Sequence, residues 1–392
     1  MSPGLIAVDA NAANSLKTKR SVRSHRTKPV TEVVQDDPRE AAIAAGLRYV
    51  SDQSPGISRR RKRANFMYYT KEGKILRNPA ELKRIRSLVI PPAWEKVWIC
   101  TQSNGHLQAT GFDVKGRKQY KYHPTWRSVR DEAKFERLLA FADVLPKIRA
   151  RVQEDMRRAD LSREKVLATV VRLLEISLIR VGNEEYVKEN KSFGLTTMRN
   201  RHAAIEGSTV RFRFRGKSGK QHTVKVSDRR VARTVQKCQD LPGQHLFEYE
   251  DDKGEIASIE SEDVNDYLQS ITGQPFTAKD FRTWAGTVLA AVALGKMEEA
   301  DEETIRKKNV ITAIEAVARL LGNTVAICRK CYIHPAIPTR YLNGTLAWNL
   351  RLKADSEIAR HLHDLKPEEA AAITMLRQEL SERSANHHRS PA

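Results

Sequence analysis

The sequence predicts an α+β protein, with a small, mostly antiparallel β-sheet domain followed by a larger, mainly helical one. Three observations carry that prediction. Between about residues 66 and 122, short strand-like runs are separated by Gly and Asn turns. From about Ser128 onward, apolar residues recur at spacings of three and four among dense charges. One arginine-rich hairpin interrupts the helical part. At 392 residues the chain is long enough for two or three domains with a proper core.

In order, residues 1–38 read as a disordered basic arm, since Lys17, Lys19, Arg20, Arg23, Arg26 and Lys28 follow no helical period. Pro38 to Val50 reads as a short alanine-rich helix, and Gly56 to Arg63 as a basic loop. The strands are Phe66–Tyr69, Val97–Cys100, His106–Thr110 and Gln119–Tyr122, with turns at Gly73 and Asn104-Gly105. A sheet domain over 39–126 follows. Helices are expected over 131–158 and over 163–181, where Val166, Leu167, Val170, Val171, Leu174 and Leu178 make a core stripe. Thr209–Arg215 alternates with period two, and Gly216–Lys220 returns it into His222–Val226. Helices resume at 228–238, 261–271, 283–296 and 303–321, the last stopped by Gly322. These elements make a second domain over 127–350. A C-terminal tail over 351–392 carries one more helix, after Pro367. No internal repeat is visible.

Lys+Arg outnumber Asp+Glu by 69 to 48, for a net charge of +21. An excess of that size spread along a folded chain is an electrostatic footprint for nucleic acid. No run approaches the roughly 18 apolar residues of a membrane span, and the first thirty residues hold no apolar signal core. Four cysteines in a chain of this length fit a reducing compartment. Cys328 and Cys331 form a lone C-x-x-C with no second pair or histidine pattern, so no metal site is expected.

The most informative stretch is Gly322-Asn323-Thr324 followed by Cys328-Arg329-Lys330-Cys331-Tyr332. A phenol oxygen can attack a phosphodiester and hold the broken strand covalently. The pentavalent phosphate then needs fixed donors around its oxygens, for which arginine, planar and permanently charged, is suited. The departing sugar oxygen needs a proton, which a lysine can supply. A free phenol, with a pKa of about 10, is a poor nucleophile without nearby cations. Candidates stand in order. Arg180 closes the apolar helix, either as a dipole-favoured terminal cation or as a phosphate ligand. Lys217 sits at the hairpin tip. Arg282 begins a helix, against the dipole preference. Asn323 and Tyr332 complete the set. Gly216-Lys217-Ser218 is no nucleotide loop, because Arg211 stands where the first glycine belongs.

These residues resemble a type IB DNA topoisomerase of the poxvirus-like branch, in its bacterial form. The poxviral enzyme has Ile-Arg-Phe-Gly, then Lys-Glu-Asn and Gly-Leu, and here Ile179-Arg180-Val181-Gly182 precedes Lys188-Glu189-Asn190 and Gly194-Leu195. The Gly-Lys hairpin turn is matched by Gly216-Lys217, and Lys-Asp-Leu-Arg-Thr by Lys279-Asp280-Phe281-Arg282-Thr283. Lys115–Tyr122 resembles the strand that enters the DNA groove. The resemblance covers roughly residues 40–345 and implies a catalytic set of Arg180, Lys217, Arg282, Asn323 and Tyr332. It further implies DNA contacts from Lys118, Gln119, Tyr120 and Tyr122. The implied enzyme relaxes duplex DNA through a 3′-phosphotyrosyl intermediate, without ATP, cofactor or metal, as a monomer in the cytoplasm at the nucleoid. Asn323 stands where the family usually has a histidine, and His334 reads as structural. Tyrosine recombinases share the chemistry, but they usually have His-x-x-Arg at the second arginine where this chain has Lys279, and a helical arm instead of a sheet. A non-catalytic DNA-binding protein is the third reading.

Overall fold

A computed structural model of the chain describes residues 37–297, 301–346 and 365–387, apart from Ala64 and Lys115. All but the last two residues of the expected basic arm, and 351–364 of the expected tail, lie outside them. Asp37 caps the first helix, α1 (Pro38–Ala44), by accepting the Arg39 N–H. The helix stops short of the expected Val50.

The sheet has five strands in the order β2-β1-β3-β4-β5, every neighbouring pair antiparallel. They are β1 (Ile57–Lys62), β2 (Asn65–Tyr69), β3 (Glu95–Ile99), β4 (Leu107–Phe112) and β5 (Lys118–Tyr122). The stretch expected as a basic loop is β1. Its inward positions are Ile57 and Arg59, and the second conceals the alternation from hydropathy. Arg59 is buried because its guanidinium donates to the carbonyls of Ile90 (3.2 Å), Pro91 (2.9 Å) and Trp94 (2.8 Å). Those bonds satisfy the irregular Pro91-Pro92 loop. Helix α2 (Pro79–Ser87), capped by Asn78, was not expected; it buries Ile85 with Ile57, Val97, Ile99 and Ala109.

Helix α3 (Pro124–Asp155) starts seven residues before the expected 131, with Pro124 in the first turn, where its missing N–H costs nothing. Trp126 packs on Ala42 and Leu47, and its ring meets His106 edge-on at 4.9 Å, joining helix to sheet. Helix α4 (Arg163–Ser177) is almost wholly buried and ends sooner than expected. Leu178 is left-handed (φ 56°), and Arg180 and Val181 give their carbonyls to the N–H groups of Leu195 (2.9 Å) and Thr196 (2.6 Å). Arg180 therefore lies past the end of the helix and is not a terminal cation on it.

Strands β6 (Ala203–Glu206), β7 (Thr209–Arg215) and β8 (Gln221–Ser227) form a second antiparallel sheet. Val210, Phe212, Phe214 and Val226 face inward, while Arg213, Arg215 and Lys225 face solvent. After the short helix α5 (Glu184–Asn190), helices α6 (Arg229–Gln239), α7 (Ser261–Thr272), α8 (Ala278–Gly295) and α9 (Glu303–Leu321) build the core around α8. Helix α8 starts five residues before the expected 283, because Asp280 accepts the Thr277 N–H at 2.8 Å and closes a capping box. Arg282 thus lies a turn inside the helix, not at its first residue. Two short helices, α10 (Val325–Cys331) and α11 (Ala336–Leu342), follow α9, and α12 (Pro367–His387) is the helix expected after Pro367. Among the described residues no single helix is long and apolar enough to cross a membrane.

Helix α12 is tied to the core by Glu369. Its carboxylate accepts two bonds from Arg149 (2.9 Å each) and one from Trp284 Nε1 (3.2 Å), and Arg149 also meets Glu175. Glu369→Ala removes one side of this buried pair and is expected to cost about 3–5 kcal/mol of stability, because Arg149 is left short of charge compensation. Urea unfolding measures it, and a loss under about 1 kcal/mol would mean that solvent reaches the pair.

Candidate active site

Four segments bring their polar groups to one small pocket: the turn after α4, the β7–β8 hairpin tip, the second turn of α8 and the end of α9. Its lining includes Arg180, Lys217, His222 and Arg282, with Leu178 and Leu321 between them, and no carboxylate.

Arg282 is the fixed point of the pocket. It is 4% exposed. One Nη donates to the Leu178 carbonyl and the other to the Leu321 carbonyl (2.6 Å), so the guanidinium ties the ends of α4 and α9 together. Its Nε has no partner among the described residues. Burial pushes its pKa down to about 10, and the charge of Arg180 adds to that push, while the neighbouring Tyr332 side chain opposes it. It remains a cation at neutral pH.

Arg180 reaches the same place from the opposite wall. Its Nη2 donates to Asn323 Oδ1 at 2.5 Å. Asn323 is placed by the turn that ends α9. Gly322 adopts φ 62°, which a side chain resists, and the Asn323 N–H returns to the Ala318 carbonyl at 2.9 Å. With Oδ1 taken by Arg180, the amide Nδ2 is buried without a partner among the described residues. A buried donor in that condition suits an incoming oxygen anion.

Tyr332 is the residue that caps α10 at its C-terminal end. The Arg282 guanidinium carbon lies 5.3 Å from the centre of its ring. Its main chain is pressed onto α8 at Gly286, where an added Cβ would stand 2.4 Å from the Tyr332 carbonyl oxygen. Thr287 Oγ1 shares its proton between the Thr283 carbonyl (2.9 Å) and that same Tyr332 carbonyl (3.4 Å), and it accepts the His334 N–H (3.1 Å). Lys134 donates to the Cys331 carbonyl just before it. His334 is buried, and its Nδ1 accepts from the Ala336 N–H at 3.1 Å, turning the chain into α11. Cys328 is buried too, and burial pushes its thiol up to about 11.

Lys217 stands in a 3-10 turn (Lys217–Gly219) at the hairpin tip, on the rim of the pocket. His222, across the same turn, is a residue the sequence reading passed over. It belongs to the inward register of β8 with Val224 and Val226 and pairs with Phe214. That phase was visible in the alternation, had the histidine been counted as an inward position.

On the sheet, Lys118, Tyr120 and Tyr122 share the exposed face of β5. Tyr120 is 46% and Tyr122 37% exposed, with ring centres 6.0 Å apart and nearly parallel. Lys118 pairs with Asp52 at 2.6 Å. Gln119 is not brought to that face: it points the other way and donates to Asp113 at 3.0 Å.

Comparison with known proteins agrees with the chemistry of the pocket. Residues 123–342 match the catalytic core of eukaryotic DNA topoisomerase I, and residues 65–113 match the N-terminal domain of bacterial DNA topoisomerase IB. The chain is 32% identical over 286 residues to a DNA topoisomerase 1B of Acanthamoeba polyphaga mimivirus, covering 71% of this chain and 85% of the viral one. It is 23% identical over 251 residues to the DNA topoisomerase 1B of vaccinia virus, covering 62% and 74%. It is 24% identical over 257 residues to DNA topoisomerase 1 of Mycosarcoma maydis, covering 58% of this chain and 25% of the fungal one.

Proposed function

The chain belongs to the type IB DNA topoisomerases, and from that premise we propose that Tyr332, Arg180, Arg282, Lys217 and Asn323 carry its strand-cleaving chemistry. The enzyme relaxes supercoiled DNA without ATP, by cutting one strand through a 3′-phosphotyrosyl link and rejoining it. In this assignment the Tyr332 oxygen forms the new bond to phosphorus, and the bond to the 5′-oxygen breaks. Lys217 gives its proton to that oxygen, and the phenol proton passes to solvent. Arg180, Arg282 and the Asn323 Nδ2 hold the non-bridging oxygens as charge builds on them. One phosphoester replaces another, so rejoining is the same path reversed.

The observation that carries this reading is the meeting of Arg180 and Arg282 in a pocket with no carboxylate, with the Tyr332 ring beneath Arg282. Two guanidiniums held close without a counter-ion favour a dianionic transition state over water. A single chain supplies all five groups, so we assign a monomer, acting at the nucleoid where its substrate is. The sheet lobe (39–126) and the helical lobe (127–350) are assigned to opposite sides of the duplex.

Relaxation of supercoiled plasmid is expected to proceed in excess EDTA without nucleotide, and denaturant is expected to trap DNA on Tyr332. Strict magnesium dependence, or an adduct on Tyr341, would sink the assignment. Tyr341 is buried, and its hydroxyl accepts from Asn309 at 2.7 Å.

Lys118, Tyr120 and Tyr122 are proposed to meet the DNA from β5, with Gln119 reaching bases only if it leaves Asp113. Tyr120→Ala and Tyr122→Ala are each expected to lose about 1–3 kcal/mol of DNA affinity with an unchanged melting temperature. A fall in melting temperature with intact affinity would assign the pair to the sheet instead.

A further inference from the structure

His222 lies wedged between two glycines that belong to different parts of the pocket. A Cβ added at Gly216 would come within 2.7 Å of its Cδ2 and 2.8 Å of its Nε2. A Cβ added at Gly322 would come within 2.8 Å of its Cε1. Gly216 immediately precedes Lys217, and Gly322 immediately precedes Asn323. The ring therefore fills the gap between the backbone that carries the acid and the backbone that carries the amide. Below, it stacks on Phe214, with centres 5.3 Å apart and planes 14° from parallel. It keeps a solvent-reaching edge toward the pocket it lines with Arg180, Lys217 and Arg282.

The backbone bonds of the hairpin tip are local. Lys217 sits in a single 3-10 turn closed by Gly216 N–H to the Lys220 carbonyl (2.8 Å) and Gly219 N–H to the Gly216 carbonyl (3.0 Å). Both bonds are internal to the turn, so neither fixes it against α9. A flat ring between two glycine backbones does. Glycine at both positions lets main chain approach ring at van der Waals distance, which any side chain would prevent.

We propose that His222 is a positioning residue for strand cleavage: it docks the hairpin that carries Lys217 onto the Gly322-Asn323 turn, so that acid and amide reach the scissile phosphate together. This rests on the assignment of Lys217 as the acid. Burial lowers the affinity of the ring for a proton, and Arg180, Arg282 and Lys220 lower it further. The docked imidazole is therefore neutral at physiological pH and adds no charge to the cationic pocket. Protonating it would add a further cation to Arg180, Lys217, Lys220 and Arg282, so docking weakens as pH falls.

Single-turnover cleavage of a duplex with oxygen or sulfur at the 5′-bridging position tests the proposal. Sulfur is a leaving group that needs no proton, so it rescues only those variants that fail in proton delivery. His222→Ala is expected to slow cleavage of the oxygen substrate by about tenfold or more and to be largely restored by sulfur, as Lys217→Ala should be. The sulfur-to-oxygen rate ratio within one preparation is unaffected by the fraction of folded enzyme, so partial unfolding cannot mimic this result. His222→Gln, neutral at every pH, is expected to keep part of the rate and to lose the acidic limb of the wild-type pH profile. If sulfur rescues Lys217→Ala but not His222→Ala, the histidine acts on structure alone and the inference fails. If sulfur does not rescue Lys217→Ala either, the acid assignment fails first and takes the docking role with it.

Discussion

Tyr332→Phe is expected to lose relaxation by about four or more orders of magnitude, the scale on which removing a covalent nucleophile acts, while duplex binding stays nearly intact. The substitution removes one oxygen and keeps the ring under Arg282. What is lost in the free enzyme is one hydroxyl beside Arg282, a change worth on the order of 1 kcal/mol at most. Main-chain anchoring at Gly286 and Thr287 is untouched. Plasmid relaxation and a filter-binding or anisotropy assay on the same preparation check both halves. Wild-type-like relaxation by this variant would remove Tyr332 from the mechanism.

Arg282→Ala is expected to show the second largest effect, because the side chain performs two tasks at once. Loss of a charged donor to the phosphate should slow cleavage by about 10²–10³-fold, as with other preorganised oxyanion donors. The carbonyls of Leu178 and Leu321 also lose their partners, at about 1–3 kcal/mol each where water cannot replace them. Arg282→Lys should recover little, since one ammonium cannot span both carbonyls and the phosphate as a planar fork does. Arg180→Ala is the informative contrast. It should match the rate loss with a smaller stability loss, because among the described residues its side chain bonds only Asn323. Single-turnover cleavage beside urea unfolding separates the two tasks. Equal stability for the two variants would show that the Arg282 bonds to Leu178 and Leu321 contribute nothing to folding.

The order of sheet and helices was legible from period alone, because periods two and 3.6 leave different marks on the sequence. The residues of the pocket were legible from chemistry, since a cation-rich order ending in a tyrosine suits few reactions. What escaped had a common cause: a residue whose type disguised its position. Arg59 hid a strand because an arginine occupies an inward site, satisfied by three carbonyls. Arg180 read as the end of a helix because the apolar stripe runs on to Leu178, whereas Leu178 turns left-handed and the carbonyls of Arg180 and Val181 are taken by Leu195 and Thr196. Arg282 read as the start of a helix because Thr277 and Asp280, which close the cap, were not recognised as a box. His222 was missed because a polar residue broke the apolar alternation it belongs to. Gln119 and Tyr120, adjacent in sequence, were grouped together although a strand must point them apart.

The seating of Tyr332 has a mechanical side. In the assignment proposed above, the cut end stays bonded to this tyrosine as the rest of the duplex turns, so a pull on that end is passed through its side chain into the protein. Its backbone carbonyl is pressed onto Gly286 and bonded to Thr287, both on α8, and Glu369 clamps α12 to Trp284 on that same helix. That load therefore enters α8, whose inner face is buried along most of its length, within one residue of the attachment point, where close packing leaves it little room to yield.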